Sequence, residues 1–222
     1  MYCTGFVVRS ALLSALGIAT LLGADLSIYR GVQFGGKLPI AAKQAGIPPA
    51  NLRPVQTRPA LIQEMDWVPQ SLGLSDPVKN GVLCFFNEEL FRITVTYDRY
   101  KVEGLTSQDV IEAISTTYGP ATRPEAEVPY HSIYGEIARV EARWEDEQYP
   151  HNLVRTGDQK SFALIMYSKR LEIAAEAAIV EAARLDAQEA PQKEIERQRQ
   201  RNHEERLTLD KARATNKPNF RP

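Results

Sequence analysis

Cysteine is nearly absent from this chain: two occur among 222 residues, Cys3 and Cys84. Cys3 precedes an apolar stretch read below as a removable signal, which leaves Cys84 alone. A single cysteine closes no internal disulfide, so the fold must be held by its core. Cys84 lies inside an apolar strand pattern, where a buried thiol behaves as a small hydrophobe. Net charge is nearly absent too. Twenty-seven Lys and Arg against 28 Asp and Glu give a formal charge of −1. No whole-protein field then steers the chain toward nucleic acid or anionic lipid, and no nucleic-acid partner is expected.

Catalytic signatures are missing as well. The chain contains no G-x-S-x-G, H-E-x-x-H, G-x-x-x-x-G-K-[ST] or G-x-G-x-x-G. Gly35-Gly36-Lys37 lacks the earlier glycine of a phosphate loop and reads as a turn. The three histidines, His131, His151 and His203, are not spaced with Cys, His or Glu as in a helical metal site, apart from the surface neighbour Glu204. The carboxylates Glu141, Glu145, Asp146 and Glu147 read as a solvated strand end, kept ionised by Arg139 and Arg143. No catalytic, cofactor-binding or metal-ligating residue is assigned, and no cofactor is expected.

Only one long apolar run stands out. Residues 10–23 (SALLSALGIATLLG) follow Arg9 and end in Leu22-Gly23-Ala24 ahead of Asp25. A basic start, about 14 apolar residues and a small-residue exit are the layout of a secretory signal peptide, here residues 1–24. The run is short of the roughly 20 residues a spanning helix needs. The expected location is therefore periplasmic or secreted, the alternative being attachment to a membrane through an uncleaved N-terminal segment. Cys3 lies before the run rather than after it, so lipidation there is not expected.

What the chain does have is a dense β pattern over residues 81–98. Val82, Cys84 and Phe86 alternate with Leu83 and Phe85, then Phe91, Ile93, Val95 and Tyr97 alternate with Arg92, Thr94 and Thr96. Period-two alternation with β-branched and aromatic residues predicts an antiparallel hairpin, folded back at 87–89, with its Phe/Ile/Val side buried. A short helix is expected over 38–45, with Pro39 in its first turn and Gly46 as its αL cap. Residues 50–59 read as a loop and 60–68 as a strand. Thr106 and Asp109 form a near relative of a capping box, which opens a helix over 106–118 that Gly119-Pro120 stops. Residues 121–135 read as a loop. Ala138, Val140, Ala142 and Trp144 predict a half-buried strand, and 151–155 with 161–167 predict a second hairpin. From residue 169 a helix carries a stripe of Leu171, Ala175, Ala178, Ile179, Ala182 and Leu185. Pro191 is expected to break or kink it. Beyond that lie a charged, solvated helical arm and a disordered end over 215–222. Ile195, Asn202 and Leu209 are seven apart with no second apolar series, so a coiled coil is the sharper but less supported reading of the arm.

The fold class expected is α+β: an antiparallel sheet with helices packed on one face and a long charged C-terminal helix. Residues 29–190 form the domain, and 191–222 form the arm and tail. Two blocks, 35–98 and 106–167, share an order of elements: a helix ended by glycine and proline, a proline-bearing loop, a Trp strand (Trp67, Trp144) and a Phe-rich strand or hairpin. They read as α-β-β repeats. Gly36-Lys37-Leu38 followed by Ala41, Ala45, Gly46 and Pro48 resembles the opening of small α+β envelope domains of the outer-membrane assembly lipoprotein and β-lactamase-inhibitor-protein type. That resemblance implies a helical start ahead of a three- or four-stranded antiparallel sheet, sometimes in tandem, in an envelope setting. The chain departs from those families in lacking both the lipidation cysteine and the inhibitor disulfides.

The function expected is a non-catalytic module that binds a protein partner in the envelope or organises an assembly. Its surface is sought on loop 121–135 with Arg92, Thr94 and Thr96, rimmed by Tyr97, Tyr100, Tyr130, Tyr134, Tyr149 and Trp144, most of which could instead cap the core. The alternative is a hydrolase-like enzyme with a site built from loops, which would need a deep pocket lined by His131 or His151 with converging carboxylates.

Overall fold

The computed structural model describes residues 24–48, 51–69, 76–130, 136–155, 161–219 and 221. The signal-like stretch before Ala24 lies outside the described residues, as do His131, Tyr134 and the turn at 156–158.

The fold is α+β. A two-stranded ribbon, β1 (Ile28–Tyr29) and β2 (Val32–Gln33), precedes α1 (Leu38–Ala45). Then come β3 (Leu52–Gln56), β4 (Ile62–Trp67), β5 (Val78–Phe86) and β6 (Glu89–Tyr97). After α2 (Ser107–Tyr118) come β7 (Glu127–Pro129), β8 (Ile137–Glu145), β9 (Pro150–Arg155) and β10 (Phe162–Tyr167), and α3 (Lys169–Asn216) closes the chain. Strands β3 to β10 make one antiparallel sheet in the order β3-β4-β5-β6-β10-β9-β8-β7. The chain thus runs twice through a helix and a four-strand meander, α1 to β6 and α2 to β10. The two meanders meet where β6 pairs with β10.

The hairpin at the centre turns on two residues, Asn87 and Glu88, both at positive φ (47° and 66°). That matches the type I′ geometry whose twist suits a two-residue hairpin. Its register slips between Cys84↔Arg92 and Phe85↔Leu90, leaving Phe91 as the extra residue of a β-bulge. Simple alternation places Phe91 with Ile93; the bulge turns it to the opposite side with Arg92. Leu83, Phe85, Leu90, Ile93 and Val95 face the main core, and Cys84 and Phe91 face a second one.

Helix α1 starts with proline in its first turn and ends at Gly46 in the left-handed region (φ 68°), burying Leu38, Ala41 and Ala42. In α2 the capping box is complete: the Asp109 N–H donates to Thr106 Oγ1 (3.2 Å) and the Thr106 N–H to Asp109 Oδ2 (2.7 Å). Both helices pack into the main core, as does the N-terminal ribbon through Leu26, Tyr29, Val32 and Phe34. Helix α3 does not share their face. Leu171, Ala175 and Ile179 pack on Ile62, Cys84 and Phe91 across the sheet. The expectation of helices on one face is met by α1 and α2, and α3 corrects it: the reverse side of β4–β6 carries Ile62, Cys84 and Phe91, apolar surface that must also be covered.

Two segments read as loops are edge strands. β3 contains Pro54, which an edge strand tolerates because one of its sides pairs with no strand among the described residues. β7 pairs with β8 at the far edge. Helix α3 runs unbroken through Pro191. Every residue from Ala190 to Asn219 is exposed, so water can take the carbonyl that the missing N–H leaves unbonded. The helix extends to Asn216, with a 3₁₀ turn at Lys217–Asn219, where the sequence pattern ends it near 214.

Candidate functional site

A concavity of about 510 Å³ lies between the N-terminal ribbon, α2 and the sheet. Its apolar wall includes Ile28, Val102, Leu105, Val110, Ile114 and Leu164. Three tyrosines from three separate elements line it: Tyr29 on β1, Tyr97 at the end of β6 and Tyr118 at the end of α2. Burial pushes all three phenols above their ordinary value, so each stays a neutral hydroxyl. The Arg30 guanidinium lies over the Tyr29 ring, 5.6 Å from its centre. Among the described residues the Tyr97 and Tyr118 hydroxyls make no hydrogen bond. Neither is a buried orphan, and both residues stand on the cavity lining.

Arg30 stands in the turn of the ribbon, at φ 49°, ahead of Gly31 at 82°. Its guanidinium grips Asp76 with two hydrogen bonds, 2.7 and 3.1 Å. Those bonds, with the arginine's charge, hold the Asp76 carboxyl below its usual range despite partial burial. Lys101 Nζ donates to the Asp76 backbone carbonyl (2.7 Å) and makes no ion pair among the described residues. Asp25, the one carboxylate on the described lining, accepts from the Ser27 N–H (2.8 Å).

Next to this cavity His151 is fully buried. Its Nε2 lies 3.1 Å from the Leu26 carbonyl oxygen, which can only accept, so Nε2 carries the proton. Nδ1 has no partner, and the ring meets Tyr118 edge-on at 4.9 Å. Burial drives the His151 pKa down to about 4, against the weaker pull of the Leu26 carbonyl. It is a neutral core histidine and does not stand on the described lining of this cavity. His203 is exposed on α3.

The surface expected at Arg92, Thr94 and Thr96 is largely closed. Arg92 is buried beneath α3, with Nη2 on Glu172 Oε1, Nε on Glu172 Oε2 (3.3 Å) and Nη1 on the Pro129 carbonyl (2.8 Å). Thr96 Oγ1 meets Tyr130 Oη at 3.2 Å, and Thr94 is 7% exposed. The reason is tertiary: segment 126–130 and α3 fold across positions that read as a solvated strand face. What remains is a small cleft of about 210 Å³ lined by Glu64, Cys84, Thr94, Thr96 and Tyr130. Burial pushes the Cys84 thiol up, away from the reactive thiolate.

Of the rim aromatics, Tyr97, Tyr130 and Trp144 are buried, Tyr149 stacks on Phe34 at 5.7 Å, and Tyr100 is exposed. Trp144 is tied to the end of α2, its Nε1 donating to the Gly119 carbonyl (3.0 Å), as Trp67 Nε1 donates to Ala45 at the end of α1 (3.1 Å). The carboxylate cluster is dispersed. Glu145 pairs with Lys169 (3.1 Å), Asp146 caps its own turn by accepting from the Gln148 and Tyr149 N–H groups, and Glu141 accepts from Ser107 Oγ. Arg143, expected to hold those carboxylates, bonds Asn152 instead (2.6 Å). No group of His, Cys, Asp and Glu suited to a metal ion occurs among the described residues. No helix among them is long and apolar enough to cross a membrane.

Of the three cavity tyrosines only Tyr97 is singled out by the sequence, as a rim aromatic of a different surface. Tyr118 reads only as the last member of a helical stripe, Tyr29 and Arg30 as an extended lead-in, and nothing local signals that they converge.

No known family model matches the chain, and no curated protein matches it. One similar solved structure is a cysteine-rich secretory protein from Staphylococcus aureus, at 10% identity and a TM-score of 0.32, covering 62% of this chain and 44% of that one. The chain spans less than half of that protein, and a likeness at this level carries no argument.

Proposed function

We propose that the protein is a non-catalytic module of the periplasm or secreted space that binds another protein, or organises an assembly, through the projecting part of α3. The observation carrying this reading is the continuous exposure of Ala190–Asn219 on a helix whose base is fastened to the domain. The fastening is Arg92–Glu172 near the start and, further along, Arg58 gripping Asp186 (2.7 Å) and Glu189 (2.5 and 2.7 Å). About 27 helical residues beyond Glu189 reach roughly 40 Å from that anchor. A helix polar on every side gains nothing from its own domain and suits a bridge to something else. Ile195, Leu207 and Leu209, about half or more exposed, are the apolar points along it.

The setting rests on the signal-like residues 1–24, and the resemblance to small envelope domains agrees with it. Nucleic acid is not a partner in this reading, and a membrane enters only if the N-terminal segment stays attached. The enzyme alternative needs a histidine and converging carboxylates in a deep pocket, and the cavity beneath the N-terminal ribbon has one carboxylate and no histidine on its described lining.

A photo-activated cross-linker placed at Asn202 in the native host is the test. A discrete adduct to one protein, lost when residues 191–222 are deleted while the domain still melts cooperatively, supports the reading. The absence of any adduct from positions 195 to 209 would defeat it. Sequencing the mature N-terminus checks the setting, with Asp25 expected and Met1 counting against export.

A further inference from the structure

The cavity beneath the N-terminal ribbon has a construction that the projecting helix does not explain. Most of its wall is apolar, yet its polar groups are few and gathered. Arg30, Tyr29, Tyr97 and Tyr118 all line it, and the Arg30 charge acts on all three phenols. Tyr97 and Tyr118 line the cavity, and their hydroxyls make no hydrogen bond among the described residues. A phenol is a donor as well as an acceptor, and Tyr97 is buried and Tyr118 half-buried. Lys101 adds a positive charge that makes no ion pair among the described residues, whereas Arg30 is already balanced by Asp76. The described lining thus carries two cations, Arg30 and Lys101, against one carboxylate, Asp25, with hydrocarbon elsewhere. Its volume of about 510 Å³ falls within the roughly 300–1,000 Å³ of sites that hold small ligands.

We propose that this cavity binds a small amphiphile with one hydrocarbon chain and one anionic head, of the class of a medium-chain carboxylate. The head accepts hydrogen bonds from the Tyr97 and Tyr118 hydroxyls and is drawn by Lys101 and Arg30. The chain lies against Val102, Leu105, Val110 and Ile114. Phenols that remain neutral suit this role, since an ionised phenolate would repel the head. A cationic amphiphile is disfavoured by the same Lys101, and a fully apolar guest would leave both hydroxyls unbonded. The site is independent of α3, so it stands or falls separately from the partner-binding reading.

Calorimetric titration of the full chain with octanoate, decanoate and dodecanoate, below their micelle concentrations, tests this directly. One molecule per chain should bind saturably, and each two added carbons should tighten binding by roughly tenfold. Ala113→Trp, at an exposed α2 position on the cavity rim, should weaken decanoate at least tenfold with the melting midpoint unchanged. Lys101→Met should weaken decanoate several-fold and leave 1-decanol unaffected. The paired change Tyr97→Phe with Tyr118→Phe should weaken it further without emptying the core of its rings. Non-saturable uptake, or equal affinity in the wild type and Ala113→Trp, would overturn the site. Decanol binding as tightly as decanoate would overturn the anionic head. Ala24 lines the cavity and donates to the Thr117 carbonyl (3.4 Å), so the residues before it are a competing occupant. A cross-link between residues 10–23 and Leu105 that saturating decanoate fails to suppress would overturn the proposal in favour of the chain's own segment.

Discussion

Arg92 on β6 and Glu172 on α3 form an ion pair withdrawn from water, with side chains 1% and 7% exposed. It joins the middle of the sheet to the first turn of the long helix. The guanidinium also spans to the Pro129 carbonyl and lies over the Tyr167 ring at 5.5 Å, so three elements meet on one side chain.

Removing one member of that pair strands the other charge. Glu172→Leu is expected to cost about 3–5 kcal/mol of stability, whereas Arg92→Met combined with Glu172→Leu should recover most of the loss. Urea denaturation of the single and double variants checks this. Additive losses would mean that the two side chains are not coupled.

His151 makes the fold sensitive to acid. Its folded pKa is near 4 and its unfolded value near 6.5, so the unfolded chain binds the proton first. Stability from this residue is complete above pH 6.5 and is lost as pH falls toward 4, by an amount on the order of 3 kcal/mol at pH 4. His151→Gln keeps a donor for the Leu26 carbonyl but does not titrate. Its stability should fall less steeply between pH 6.5 and 4, and parallel slopes for the two proteins would refute the assignment.

The start of α2 rests on reciprocal bonds between Thr106 and Asp109. Thr106→Ala should cost about 1 kcal/mol. The hydrogen bonds from Thr106 hold the Asp109 carboxyl below its ordinary value. The cap therefore acts above that ordinary value and weakens as pH falls through the lowered one. The gap between thermal melts of Thr106→Ala and the wild type should narrow at low pH, leaving the part due to the Asp109 N–H bond to Thr106 Oγ1.

Truncation after Ala190 removes a stretch whose described residues are all exposed, and it keeps Arg58 with Asp186 and Glu189. The denaturation midpoint should move by no more than about 0.5 kcal/mol in equivalent stability. A larger loss in equilibrium unfolding would show that the distal helix is docked on the domain.

Local chemistry is what the amino-acid order determined by itself. Proline at the start of α1 and glycine at its end, the Thr106–Asp109 box, the alternation through β5, β6, β8 and β10, and the change to charged residues after 189 each act within a few residues, so each is visible in the chain. Only the tertiary structure decided which neighbour covers each face. A two-residue period says that a strand has two sides, but not that α3 covers the reverse of β4–β6, nor that segment 126–130 closes over Thr96. The bulge at Phe91 breaks the period it belongs to, and β3 and β7 are strands because a partner edge was available. Tyr29, Tyr97 and Tyr118 come together from distant segments, because burial and hydrogen bonding are settled by contacts in space that no local pattern encodes.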